Sequence, residues 1–169
     1  MDNILVPVTS HVGWARDLAR LAIETEAGTE TTATVLHVFD DEEVETTRAN
    51  LDLPPDEEVT LDELATRKKG VTVTVDAFQA AGIATEVCGR RADDDPAETI
   101  ISMADAEPVD RIYLYSRKRS PAGKAVFGST LQRVLLNTSR PVVVYPPNSP
   151  PRPDDDASES DDSSSPENA

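Results

Sequence analysis

The chain has 169 residues, with 32 Asp or Glu against 16 Lys or Arg, two His and one Cys, and a formal net charge of −16. A lone cysteine excludes an internal disulfide and a multi-cysteine zinc site, and two histidines leave little for a His-based metal centre. No apolar run approaches the ~20 residues that cross a bilayer, and Met1-Asp2-Asn3-Ile4-Leu5-Val6-Pro7 carries no basic segment ahead of its apolar run, so a cytoplasmic protein without membrane contact is expected.

In chain order, residues 4–8 form a continuously apolar run that predicts a strand buried on both faces. Residues 12–26 put Ala15, Leu18, Leu21 and Ala22 on one helical face, and residues 33–39 predict the second strand. Residues 40–59, acidic and containing Pro54-Pro55, predict a loop with a short helix over 42–50. The next segment is ambiguous, because Val71-Thr72-Val73-Thr74-Val75 alternates like a strand. Against that, Thr60 and Glu63 make a capping box, Leu61, Leu64, Val71, Val75 and Phe78 recur at helical spacing, and Gly82 suits a helix terminus. Two parallel strands also need a crossover here, so one helix over 60–81 is predicted, with Gly70 costing it about 1 kcal/mol.

Residues 83–89 predict the third strand, with Cys88 as a small core residue. Asp95, Pro96 and Glu98 open a helix carrying Ile100, Ile101 and Met103; capping accounts for Asp93-Asp94-Asp95 better than a metal site does. Residues 111–115 predict the fourth strand, 127–138 a helix with Leu131, Val134 and Leu135, and 141–145 the fifth strand. The alternation implies a doubly wound, five-stranded parallel sheet of Rossmann-like α/β type with helices on both faces. Ligands of such sheets bind at the carboxyl ends of the strands where strand order reverses, here near Thr9 and Tyr115.

Charge is uneven along the chain. Residues 1–110 hold 25 acids and 8 bases, residues 111–153 hold 8 bases and no acid, and residues 154–169 hold 7 acids and no base. Arg117, Lys118, Arg119 and Lys124 give the loop after the fourth strand a concentrated positive charge. Residues 146–169 contain six prolines and no Leu, Ile, Val, Met or aromatic residue, too little apolar surface to offset the entropy of ordering. A folded domain over 1–146 and a disordered acidic tail rich in Pro, Ser and Asp over 147–169 are expected.

Four segments, Ile4-Leu5-Val6-Pro7-Val8, Val35-Leu36-His37-Val38, Phe127-Gly128-Ser129 and Arg140-Pro141-Val142-Val143-Val144, occur in an order that resembles the universal stress proteins of the UspA type. The excess of acids and of Arg over Lys looks like a salt-adapted, haloarchaeal member. The resemblance implies the adenine nucleotide alpha hydrolase-like fold, a stress-response role, and a homodimer paired through Pro141, Val142, Val143, Val144 and Tyr145. It also implies an ATP or AMP site with the base among Pro7, Thr9, Val38 and Leu114, and the phosphates over Arg117, Lys118 and the amides of Gly128, Ser129 and Thr130.

The family's phosphate loop is Gly-x2-Gly-x9-Gly-Ser/Thr, and only its last pair matches here, as Gly128-Ser129; Tyr115 and Lys118 occupy the first two glycine positions. Thr9 stands where the family has an acid. The departures keep open a second reading, a dimeric scaffold of the same fold without a nucleotide. His37 reads as a core or pocket-edge residue, His11 as an ordinary loop residue and Trp14 as packing. No Ser/His/Asp spacing or complete P-loop appears, so a non-enzyme is expected, although the resemblance permits slow ATP hydrolysis. The negative field of the chain disfavours nucleic acid, and no feature of the sequence names a signalling partner. Because the Debye length falls to about 3 Å at 1 M salt, acidic self-repulsion is screened there, and the melting temperature is expected to rise with KCl. A melting temperature indifferent to KCl between roughly 0.1 and 2 M would contradict the salt-adapted reading.

Overall fold

The computed structural model describes residues 1–92, 94–116 and 128–145. Five strands, β1 (Asp2–Pro7), β2 (Thr31–Phe39), β3 (Ala84–Arg91), β4 (Arg111–Tyr115) and β5 (Val142–Tyr145), form one sheet in the order β3-β2-β1-β4-β5. Every pairing is parallel. Between the strands run α1 (Val12–Thr25), α2 (Asp41–Asn50), α3 (Leu61–Ala65), α4 (Lys69–Ala80), α5 (Pro96–Ala106) and α6 (Ser129–Asn137). The expected α/β architecture is therefore observed, with strand order reversing at β1.

Successive side chains of a strand point to opposite faces, so β1 feeds two cores. Ile4 and Val6 pack with Leu18 of α1 and with Val71 and Phe78 of α4. Leu5 packs on the other face with Ile100 of α5 and Leu131 and Val134 of α6. Each such fully buried side chain contributes about 1.5–3 kcal/mol. A third, smaller cluster of Phe39, Val44, Leu64 and Ala65 fastens α2 and α3 beside the end of β2.

The single helix expected over 60–81 is two helices. The capping box forms as expected, with Thr60 accepting from the Glu63 amide and Glu63 from the Thr60 amide. The chain then breaks at 66–68, because its two halves dock on different partners. The start of α3 lies against β3 at Gly89, whose absent side chain makes room for the Leu61 carbonyl, and Asp62 accepts from the Gly89 amide at 2.7 Å. By contrast, α4 packs on α1. The strand-like alternation of Val and Thr resolves as a helix whose buried positions are Gly70, Val71, Thr74 and Phe78. The Thr74 hydroxyl, fully buried, donates to the Gly70 carbonyl at 2.8 Å and so needs no other partner. Smaller shifts occur at element ends: α6 begins at Ser129, and Phe127 lies outside the described residues. So do Asp93, the basic loop of Arg117, Lys118, Arg119 and Lys124, and the tail over 147–169.

At the amino ends of the strands a buried carboxylate joins three elements. Glu26, 2 % exposed, accepts from Arg111 Nη1 at 2.7 Å and from the Tyr113 hydroxyl, while Arg111 Nη2 reaches Asp2 at 2.7 Å. Thr31 and Thr29 donate to its other oxygen. A buried charge is tolerated only when fully paired, and removing one partner of such a pair costs about 3–5 kcal/mol. Burial, reinforced by Glu26, pushes the Tyr113 hydroxyl up to about 12 from its ordinary value of 10.0. The neutral phenol is thus favoured in the folded state, and its contribution is complete below about pH 10 and lost as pH rises toward about 12. Tyr113→Phe is expected to be less stable than wild type at neutral pH, and to lack about 2 kcal/mol of the wild-type decline between about pH 10 and 12. Urea melts at both ends of that range check this; parallel declines for the two proteins would contradict it.

Candidate functional site

The carboxyl ends of β1, β2 and β4 open into a cavity of about 380 Å³. Its size falls in the usual range of small-molecule sites. Eight of the residues singled out from the sequence, Pro7, Thr9, Val38, Leu114, Tyr115, Gly128, Ser129 and Thr130, line it together. The remaining two, Arg117 and Lys118, lie outside the described residues.

The floor is set by the chain leaving β1. Val8 still bonds to Leu36 across the strand pair, N to O 2.9 Å, after which Thr9 and Ser10 turn toward α1. This turn rests on α4: a Cβ on Gly70 would lie 2.0 Å from the Thr9 carbonyl oxygen. Gly70, a cost to helix propensity, is therefore the residue that lets α4 seat against the floor. Thr9 Oγ1 accepts from the His11 amide at 3.3 Å, and His11 Nδ1 in turn caps α1 by accepting from the Trp14 amide at 3.2 Å.

That cap begins an aromatic stack along one side of the site. His11 and Trp14 stack at 4.3 Å between ring centroids, Trp14 and Tyr115 at 5.0 Å, and Tyr115 and Tyr145 at 5.4 Å, all within 16° of parallel. Tyr115 and Tyr145 are also register partners at the ends of β4 and β5. Trp14, expected to serve packing, both packs and lines the cavity.

The two ends of the cavity differ in polarity. On the β4 side lies the amino terminus of α6, whose N-cap is Gly128 and which has no side-chain cap bond. First-turn amides of a helix lack intrahelical acceptors, so Ser129 and Thr130 offer N–H groups and hydroxyls to an anion. On the β2 side lies Glu43, in the first turn of α2, with its start fixed by Asp40 accepting from the Glu43 amide at 2.7 Å. Glu43 Oε1 meets His37 Nε2 at 2.7 Å and Lys68 Nζ at 2.6 Å, and His37 Nδ1 lies 3.2 Å from the Val8 carbonyl oxygen. His37 is buried yet lines the cavity, in keeping with the pocket-edge expectation.

Glu43 was hidden in the sequence inside the acidic segment 40–59, which reads as a loop with a short helix over 42–50. The signal that marks it is Asp40 three residues earlier, which fixes the helix start directly after β2. Cys88 is buried on β3, and burial raises its thiol above the ordinary value, which suppresses reactivity. Among the described residues no group of His, Cys, Asp and Glu is arranged to hold a metal ion, and no helix is long and apolar enough to cross a membrane.

The profile of the universal stress protein family matches residues 1–146. No curated protein sequence matches the chain. Among solved structures, a universal stress protein from Archaeoglobus fulgidus is 24% identical with a TM-score of 0.62, the match covering 85% of this chain and 98% of that one. Another from Archaeoglobus fulgidus, in complex with dAMP, is 17% identical with a TM-score of 0.59, covering 85% and 97%. A third, in complex with cAMP, is 16% identical with a TM-score of 0.53, covering 85% and 95%.

Because the floor depends on the contact of Gly70 with Thr9, Gly70→Ala is expected to destabilise by about 1–3 kcal/mol despite the better helix propensity of Ala. Denaturant unfolding checks this, and a variant as stable as wild type would mean that the floor yields without cost.

Proposed function

The chain belongs to the universal stress protein family, and we propose that it binds an adenine nucleotide, ATP or AMP, in the cavity at the ends of β1, β2 and β4. The observation that carries this reading is the cavity's polarity: apolar walls from Pro7, Val38 and Leu114, with a helix amino terminus bearing Ser129 and Thr130 at the far end. The base occupies the space among Pro7, Thr9, Val38 and Leu114. The phosphates take the first-turn amides of α6, with the positive charges of Arg117 and Lys118 that follow Ser116 in the sequence. Relatives solved in complex with dAMP and cAMP lend support from the same fold.

The protein acts in this reading as a cytoplasmic, salt-adapted stress-response homodimer of haloarchaeal type. Support for the dimer comes from β5, an edge strand of Val142, Val143, Val144 and Tyr145 left half-buried, since an open apolar edge is an aggregation hazard unless a second copy pairs with it. In this reading the site binds nucleotide without turning it over; in support, His37, the one imidazole among the described residues that line the cavity, has both nitrogens engaged, by Val8 and Glu43. The scaffold reading is favoured by a single observation, the Tyr115 ring stacked where the family pattern has glycine.

One titration series separates the two. Wild type is expected to bind AMP by calorimetry in molar salt, Gly128→Val to lose binding because a branched side chain fills the phosphate end, and Tyr115→Gly to bind more tightly. If wild type binds neither AMP nor ATP while Tyr115→Gly does, the scaffold reading stands.

A further inference from the structure

The nucleotide reading leaves one charged group of the cavity without a role, and that group is Glu43. The carboxylate is held in place from two sides. Lys68, at the N-cap of α4 and 17 % exposed, reaches Oε1 at 2.6 Å and lies 5.6 Å from the Phe39 ring centroid. His37, 3 % exposed, reaches the same oxygen at 2.7 Å while its other nitrogen is engaged by the Val8 carbonyl and its ring meets Phe39 edge-on. Both partners converge on Oε1, and Oε2 has no partner among the described residues. Glu43 is also the only carboxylate among the described residues that line the cavity. It stands at the β2 end, beside Val38, where the proposed site has its base rather than its phosphates.

A carboxylate accepts hydrogen bonds and cannot donate them. It therefore favours a ring edge that carries an N–H donor and disfavours one that carries a carbonyl oxygen. Adenine presents an exocyclic 6-amino donor beside an N1 acceptor, where hypoxanthine presents a 6-oxo acceptor beside an N1–H donor, so a carboxylate placed at the 6-substituent is paired by the first ring and repelled by the second, the sugar and phosphate being the same. We infer that Glu43 is the specificity-determining residue of the site, selecting a 6-aminopurine over a 6-oxopurine through its free carboxylate oxygen. The inference rests on the nucleotide reading and names the ring that the site prefers. It also replaces an expectation drawn from the family pattern: the acid missing at Thr9 is supplied by a different element, α2, from across the cavity.

The test is calorimetric titration of the full chain with AMP and with IMP, for wild type, Glu43→Gln and Glu43→Asp. Wild type is expected to prefer AMP by about tenfold or more, the worth of one hydrogen bond to a charged group at a partly open site. Glu43→Gln, close in shape, is expected to bring the ratio near unity, because a carboxamide both donates and accepts. Glu43→Asp keeps the acceptor with a shorter reach, so it is expected to bind AMP more weakly while keeping the preference, which serves if Glu43→Gln folds poorly. Equal binding of AMP and IMP by wild type overturns the role of Glu43 and leaves the nucleotide reading intact. Equal losses of both nucleotides in Glu43→Gln, with the ratio unchanged, overturn it too and reduce Glu43 to a tie between α2 and α4. Binding of neither nucleotide by wild type removes the nucleotide reading and this inference with it.

Discussion

β1 is hydrogen-bonded on both sides, to β2 and to β4, in a sheet whose strands all run the same way. Each parallel connection must cross over one face, and right-handed crossovers place the helices on either side of β1 on opposite faces. The chain leaving β1 enters α1, which belongs to one core, while the helices α5 and α6 beside β4 belong to the other. A crevice at the carboxyl ends follows from the strand order itself. The cavity walls, the α6 amino terminus and the Glu43 cluster are arranged around it.

The two ends of the sheet treat their buried polar groups differently. At the amino ends both oxygens of Glu26 are occupied, by Arg111 and Tyr113 on one and by Thr29 and Thr31 on the other. At the carboxyl ends Glu43 has one oxygen doubly engaged and the other facing no described partner. A carboxylate satisfied on one side and held rigid offers recognition at little further cost in ordering, because its partners have already fixed its conformation. The aromatic stack from His11 to Tyr145 adds a rigid wall that links the site to the edge strand β5.

The fold was legible because the strands are continuous apolar runs and the helix starts carry explicit caps, at Thr60 and at Asp95. The break between α3 and α4 was not. Periodicity runs on through 66–68, and what splits it is the docking of each half on a distant partner, Gly89 for one and α1 for the other. Gly70 shows the same limit: by local propensity it is a defect, and only the position of the Thr9 carbonyl explains it. In the site, residues at strand ends were readable because sheet topology alone brings Pro7, Val38 and Leu114 together. Glu43 was not, since its selection from among Asp41, Glu42 and Glu43 depends on which face of α2 meets His37 and Lys68.

In the proposed complex the crevice beside β1 holds an adenine nucleotide with its base toward β2 and its phosphate toward α6. A crystal structure of the full chain with AMP tests it most directly. The 6-amino group is expected within hydrogen-bonding distance of Glu43, and the phosphate at the amides of Ser129 and Thr130. A nucleotide lying with its base at α6, or bound outside the crevice, would contradict it.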